Sequence, residues 1–120
     1  MDICPRFQKA ADLLGKRWTG LVLRQLQAGP LRFGQLAEQV GDASARMLAA
    51  RLRELEASGV VSRSVLPDRG VEYALTPKGR ALGRVVSSLG RWAEEWIDLP
   101  QPGRQEPRPS TAGRARAAAK

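Results

Sequence analysis

Three arginines lie among alanines and leucines in the stretch SARMLAARLRELEASG, residues 44–59. At about 100° per residue of helix, the leucines share one side: Leu48, Leu52 and Leu55. The opposite side alternates arginine with alanine: Arg46, Ala50, Arg53 and Ala57. A guanidinium can bond bidentately to O6 and N7 of guanine, and small alanines let a helix axis approach the base pairs. The pattern therefore suits a helix that lies in the major groove of DNA.

The first turns of such a helix are the part that usually meets bases. We assign base contacts to the N-terminal residues of the stretch: Ser44, Arg46, Met47 and Ala50. Arg53 lies further along, so we expect it to contact a phosphate. Arg51 falls partly on the inner side, where its stem would pack and its head reach sideways. The alternative is a solvated face on which Arg51 or Arg53 pairs with a nearby glutamate.

Other arginines could also reach DNA. Arg32 precedes the helical pattern FGQLAEQV and could hold a phosphate. Arg69 lies in the turn sequence PDRG and could reach a phosphate or the narrow minor groove, but an ordinary charged turn explains it equally well. Arg63 lies on a predicted strand, where an ion pair with Glu72 or another acid and a DNA contact are equally plausible.

The arginine-bearing stretch is the fourth of a series of predicted helices. Apolar residues at helical spacing predict helices over residues 5–15, 16–29, 32–41 and 44–59, each ended by a glycine. Ser44 would cap the fourth helix by accepting a backbone N–H. The third and fourth helices, separated by a short break that contains glycine, have the arrangement of a helix-turn-helix.

After Gly59 the pattern becomes that of strands. Residues 60–76 are rich in Val, Tyr and Thr, and the turn at residues 67–70 predicts a β-hairpin, with φ fixed at Pro67 and free at Gly70. Thr76 and Pro77 then provide the cap and first position of a helix that extends to about Ile97. This mainly α order with a hairpin wing, in the α+β class, is typical of a winged helix-turn-helix. We place that domain at residues 1–99 and a basic, disordered tail at residues 100–120.

The terminal helices carry apolar residues that a small three-helix core would leave uncovered. They are Phe7, Leu14, Leu82, Val85, Leu89, Trp92 and Trp96. Two heptads are too few for an independent coiled coil, so we expect these residues to form a two-fold homodimer interface. A dimer would hold two reading helices about 34–36 Å apart on a palindromic site. An effector pocket lined by Trp18, Trp92 and Trp96 is the alternative, although such aromatics more often belong to a core or interface.

The charge balance favours an anionic partner. The formal charge is +8, from 16 arginines and 4 lysines against 12 acids, with no histidine. Residues 1–100 hold 15 basic and 11 acidic groups and residues 101–120 hold 5 and 1, so each part has a net charge of +4. No long apolar run is present, which favours nucleic acid over a membrane. The single cysteine and the lack of a signal-peptide pattern indicate a cytoplasmic, nucleoid-associated protein.

Enzymatic chemistry has no support in the sequence. Histidine is absent, the lone cysteine has no base partner, no glycine-rich phosphate loop follows a strand, and no ligand cluster suits zinc. We therefore expect no enzyme, no metal and no cofactor.

Four separated blocks resemble the HxlR family of bacterial transcription regulators, relatives of the MarR group. They are CPRFQKAADLLGKRWTGLVLRQLQAGPLRFGQL, MLAARLRELEASGVVSR, VEYALTPKGRAL and RWAEEW, within residues 4–96. The resemblance implies a winged helix-turn-helix that binds operator DNA as a homodimer, with the terminal helices building the dimer. The wing departs from the family pattern, because PDRG occupies the turn where members commonly carry prolines before the VEY strand.

The resemblance also draws attention to Cys4. In HxlR-like regulators an N-terminal cysteine can serve as a redox or electrophile sensor, and Cys4-Pro5 matches that position. Arg6 would favour the thiolate and Asp2 would oppose it. Oxidation to an intersubunit disulfide is the mechanism to test, and an inert thiol near the dimer interface is the alternative.

Together these features predict a sequence-specific regulator of transcription, a repressor that binds double-stranded DNA as a homodimer on a palindromic operator. A redox, electrophile or small-molecule signal is its candidate effector. Two alternatives are a nucleoid-type architectural protein that binds DNA without operator choice, and a winged-helix module for protein interactions. Salt-dependent preference for an operator over random duplex distinguishes the three.

Overall fold

The computed structural model describes residues 4–100 of the chain. Five helices lie in this range: α1 Pro5–Gly15, α2 Thr19–Leu26, α3 Phe33–Val40, α4 Ala45–Ala57 and α5 Pro77–Trp96. Three strands accompany them: β1 Leu31–Arg32, β2 Val61–Val65 and β3 Val71–Leu75. The predicted winged helix-turn-helix is confirmed. The tail assigned to residues 100–120 lies outside the described range beyond Pro100, as does Asp2.

Local sequence signals set the starts of α4 and α5. Ser44 Oγ accepts the N–H of Met47 at 3.0 Å, and Thr76 Oγ1 accepts the N–H of Gly79 at 3.0 Å, so both predicted caps are confirmed. Pro77 follows Thr76 at the first helical position, where its missing N–H leaves no helical bond unmade.

The junction between α1 and α2 differs from the predicted one. Helix α2 begins at Thr19 rather than Lys16, because Trp18 has a φ of 76° and interrupts the helical backbone. The Trp18 side chain is half-buried against the core, and the guanidinium of Arg17 lies 4.6 Å from its ring centroid. Packing of this tryptophan therefore overrides the continuous apolar spacing. The helix also ends at Leu26, three residues before the predicted stop.

The hairpin belongs to a three-stranded antiparallel sheet of order β1-β3-β2. The short strand β1 was not predicted, and it joins the start of α3 to the hairpin by pairing Leu31 with Tyr73. In the turn, Arg69 rather than Gly70 has the positive φ, of 70°. The predicted need for backbone freedom at Gly70 is therefore wrong. The absence of a side chain there instead leaves room for Arg32, because a Cβ would lie 2.8 Å from Arg32 Nη1 and would displace its guanidinium.

The core lies between the helix-turn-helix, α2 and the sheet. The inner leucines of α4, Leu48, Leu52 and Leu55, are at most 1% exposed and pack with Leu23 and Leu36. Each fully buried leucine contributes about 2 kcal/mol relative to exposure. The inner side of α4 is thus fixed to the body, as its leucine pattern predicts.

Helix α5 packs across the body through small residues. Gly79 lies against the backbone carbonyl of Val60, and the carbonyl of Gly83 accepts a hydrogen bond from Gln27. Leu82 of α5 and Leu14 of α1 are half-buried against the core, which corrects the expectation that the core would leave them uncovered. Within residues 4–100, no helix is both long and apolar enough to cross a membrane.

Candidate nucleic-acid interface

The outer face of α4 presents cations on a rigid support. Arg46 and Arg53 are exposed on the side opposite the buried leucines, and neither makes an ion pair within residues 4–100. Met47 and Ala50 are half-buried beside them. In the first turn, which Ser44 caps, Arg46 and Met47 have the large side chains that are not fully buried. This face has the shape and charge that a major-groove contact requires.

Arg51 is turned away from this face. Its Nε donates to the carbonyl oxygen of Arg17 at 2.9 Å, and its Nη1 donates to Glu54 Oε1 at 3.0 Å. Glu54 also pairs with Lys16, at 3.1 Å. The predicted sideways packing of Arg51 is confirmed, and the side chain is only 16% exposed. Arg51 therefore joins α4 to the α1–α2 junction and does not belong to the outer face of α4.

The wing is tied to the start of α3 by an ion pair. Arg32 Nη1 lies 2.7 Å from Asp68 Oδ2, while the other oxygen of Asp68 accepts the N–H of Gly70 at 2.9 Å. We call this Arg32–Asp68 contact the wing clamp. The hydrogen bond from Arg32 lowers the pKa of Asp68 below its ordinary value of 3.8, and the Gly70 N–H acts in the same direction. The Asp68 carboxyl is therefore ionised at neutral pH.

Arg69 lies at the tip of the wing, next to the clamp. It is exposed, and its left-handed backbone directs the chain through the turn. Within the described residues it makes no ion pair. Arg63 is exposed on β2 opposite Tyr73, whereas Glu72 is opposite Ser64. The suggested Arg63–Glu72 ion pair is not formed among residues 4–100.

Cys4 lies far along the chain from these cations, at the start of α1. Its thiol is exposed and free, and its carbonyl oxygen accepts the N–H of Gln8 at 3.0 Å. No group of three or more potential metal-binding side chains forms within residues 4–100.

The proposed dimer face is largely exposed. Phe7, Val85, Leu89 and Trp92 are each more than half exposed, and Trp96 is 41% exposed. A groove of about 780 Å³ separates α1 from the N-terminal half of α5, and none of Trp18, Trp92 and Trp96 lines it.

Sequence reasoning missed Asp68 and this groove. The spacing within PDRG could have indicated Asp68, because an Asp two residues before a glycine commonly accepts its N–H in a turn. Its ion pair with Arg32 joins residues 36 positions apart, which no local pattern reveals.

Comparison with known proteins agrees with this geometry. The model of the HxlR-like helix-turn-helix family matches residues 13–101. YvaP of Bacillus subtilis, an uncharacterized HTH-type transcriptional regulator, is 46% identical over 99 residues, which cover 81% of this chain and 92% of YvaP. The HTH-type transcriptional regulator YodB of the same organism is 43% identical over 98 residues, covering 80% of this chain and 88% of YodB.

The chain is also similar in fold to solved structures of transcriptional regulators. The reduced form of YodB from B. subtilis superposes with a TM-score of 0.72 at 41% identity, covering 83% of this chain and all of that one. The redox regulator HypR in its oxidized form superposes with a TM-score of 0.74 at 35% identity, covering 80% of this chain and all of HypR. With most of its length matched in sequence and in fold, the chain belongs to the HxlR-like helix-turn-helix family of transcriptional regulators.

Proposed function

We propose that this protein represses transcription by binding a palindromic operator as a homodimer, in the cytoplasm at the nucleoid. The observation that carries the proposal is the outer face of α4, where Arg46 and Arg53 are exposed opposite three buried leucines. Because the buried leucines anchor α4 to the body, a cation on its outer face can select a base by position as well as by charge.

We assign the proposed DNA contacts to two classes, those that select bases and those that hold the DNA backbone. Ser44, Arg46, Met47 and Ala50 line the first turns of α4 and select bases. Arg53 contacts a phosphate, and Arg69 carries the wing tip to a phosphate or the minor groove. For Arg32 we propose two roles, because the clamp uses Nη1 and leaves other guanidinium donors for a phosphate.

The homodimer is supported by the uncovered apolar side of α5. Large side chains exposed in one stripe usually mark an interaction site. Binding to half-sites one turn of DNA apart requires a dimer that holds its two copies of α4 about 34–36 Å apart.

Cys4 is the proposed sensor. Its thiol is exposed, and the similar protein HypR is named a redox regulator. In the disulfide mechanism, the Cys4 thiols of two subunits lose two protons and two electrons to an oxidant and form one S–S bond. If diamide abolishes promoter binding by the wild type but not by Cys4→Ser, the result supports this role. If the two proteins respond to diamide in the same way, Cys4 is not the sensor.

Fluorescence anisotropy with a duplex from the protein's own promoter and a random duplex, at one salt concentration, tests DNA recognition. Arg46→Ala should lower promoter affinity by about 10- to 100-fold and reduce the preference over random DNA. Arg53→Ala should weaken both duplexes equally and reduce the slope of log affinity against log salt by about 1. Arg24→Ala, an exposed arginine on α2 whose guanidinium lies near Gly90 of α5, is the matched control.

Equal wild-type affinity for the two duplexes would instead indicate an architectural DNA-binding protein. An absence of salt-dependent binding would indicate a protein-interaction module. If Arg46→Ala leaves promoter affinity unchanged, Arg46 is not the base reader.

A further inference from the structure

Helix α4 ends in a tight turn at a glycine. Gly59 has a φ of 76°, and the N–H groups of Gly59 and Val60 donate to the carbonyl oxygens of Glu56 and Leu55, both at 3.0 Å. This is the Schellman arrangement, in which a left-handed residue after the last turn closes a helix. The carbonyl groups of residues 58–60 belong to the end of the helix, where intrahelical donors run out. They therefore need donors from another part of the chain.

The start of α5 supplies a donor to each of these three carbonyl groups. Lys78 Nζ donates to the carbonyl oxygen of Ser58 at 2.7 Å, and the Thr76 hydroxyl donates to that of Gly59 at 2.6 Å. The carbonyl oxygen of Val60 accepts the backbone N–H of Thr76 at 3.1 Å. The Lys78 ammonium also lies at the negative end of the α4 dipole. We call these contacts of Thr76 and Lys78 the α4–α5 joint.

The joint constrains α4 in a way that its apolar side does not. Burial of Leu48, Leu52 and Leu55 holds the helix against the body, but the hydrophobic effect has no preferred direction. Hydrogen bonds weaken steeply when donor and acceptor move out of line. The joint therefore resists sliding and tilting of α4 at its C-terminal end, as the Arg51 hydrogen bonds do near its middle.

The joint relates α4 to α5, whereas Arg51 relates it to the α1–α2 junction. Helix α5 carries the apolar stripe that supports the proposed homodimer. The position of each α4 relative to its own α5 then contributes to the distance between the two α4 helices of a dimer. That distance determines which spacing of two half-sites a dimer can bind.

We propose that Thr76 and Lys78 are positioning residues that determine which spacing of half-sites the protein binds. The inference rests on the proposed homodimer, and it concerns how each α4 is held within its own copy. Neither side chain touches DNA, because each acts through the carbonyl groups that follow α4. Loss of either contact frees α4 to shift, so the protein accepts duplexes whose half-sites lie one base pair closer together or further apart.

Duplexes that the wild-type protein selects from a random library provide the half-sites for a test. Fluorescence anisotropy then compares the selected spacing with spacings one base pair shorter and one base pair longer. Thr76→Val and Lys78→Met should each reduce the preference for the selected spacing by about three- to tenfold, the effect of one hydrogen bond. Thr76→Ser, which keeps the hydroxyl, should retain the wild-type preference.

Arg84→Met is the matched control for Lys78→Met, because it also removes one cation from α5. Arg84 is exposed and forms no ion pair within residues 4–100, so this variant should keep the wild-type preference. Circular dichroism and sedimentation velocity compare the fold and the oligomeric state of each variant with the wild type. Lys78 is exposed, so its substitution tests the joint even if Thr76→Val fails to fold.

An equal loss of affinity at every spacing would overturn the assignment, since the joint would then serve only the stability of the fold. Wild-type preference in Lys78→Met would overturn it as well. Dissociation of Lys78→Met into monomers would do the same by assigning Lys78 to the contact between copies. A wild-type protein that selects no paired half-sites would refute the proposed palindromic operator, and this inference with it.

Discussion

Arg32 and Asp68 show how a single contact can position a whole element. The clamp joins α3, which belongs to the helix-turn-helix, to the turn from which Arg69 projects. Gly70 leaves room for the guanidinium, since a Cβ there would lie 2.8 Å from Arg32 Nη1 and 3.0 Å from Asp68 Oδ1. A change at Gly70 can therefore disturb the clamp without altering any charge.

Gly70→Ala should weaken promoter binding by up to about fivefold, because the displaced guanidinium no longer fixes the wing tip. Anisotropy with the promoter duplex measures the effect. Gly20→Ala, where an added Cβ meets nothing within 4 Å, is the control and should bind normally. Wild-type binding by Gly70→Ala would show that the clamp does not contribute to DNA affinity.

The clamp also has a defined pH dependence. Because the folded-state pKa of Asp68 is lowered from 3.8, the contribution of the clamp to stability is fully present above that value and is lost as the pH falls through the lowered pKa. Carbon-detected NMR titration should place the Asp68 midpoint below 3.8 in the wild type and closer to it in Arg32→Ala. Identical midpoints in the two proteins would contradict this assignment.

At the scale of elements, the position of α5 depends on how closely two backbones approach. Gly79 lies against the carbonyl of Val60, where a side chain would meet fixed backbone. At Gly83, an added Cβ would meet the end of the Gln27 side chain at 2.7 Å, and that flexible side chain can move away. An added side chain is therefore tolerated better at Gly83 than at Gly79.

Gly79→Ala should destabilise the protein by about 1–3 kcal/mol, because α5 must shift away from the Val60 backbone. Gly83→Ala should cost less than about 1 kcal/mol, since it loses the Gln27 hydrogen bond but gains helix propensity. Urea unfolding followed by circular dichroism measures both free energies. Equal losses of unfolding free energy in the two variants would mean that the close approach of Gly79 to the Val60 backbone does not determine the cost of an added Cβ.

The elements that could be predicted from the sequence are those whose signals lie within a few residues of them. The starts of α4 and α5 follow from Ser44 and from Thr76 with Pro77, because caps act on backbone groups two or three residues away. The strand β1 and the break at Trp18 depend on partners distant in the chain, namely β3 and the core. For the same reason, the outer face of α4 was predictable, while the clamp and the groove were not.

At the scale of the whole molecule, charge is divided equally between two unequal parts of the chain. Residues 101–120 hold 5 basic groups and 1 acidic group, the same net charge of +4 as the first hundred residues. The sequence predicts a disordered tail, and charge on such a tail would add attraction to any phosphate backbone, an attraction that falls with salt.

Deleting residues 101–120 should therefore weaken binding to promoter and random duplexes by the same factor and reduce the salt slope for both, because only phosphate attraction is lost. Anisotropy titrations at several salt concentrations provide the comparison. A larger loss for the promoter duplex would instead mean that the tail reads sequence.

Arg51 links α4 to the junction between α1 and α2, two parts of the fold that lie far apart in the sequence. It bonds on one side to the backbone carbonyl of Arg17, next to the left-handed Trp18, and on the other to Glu54 of its own helix. A displacement of the α1–α2 junction would therefore act on the same Arg51 hydrogen bonds that hold α4, whose outer face is the proposed DNA contact.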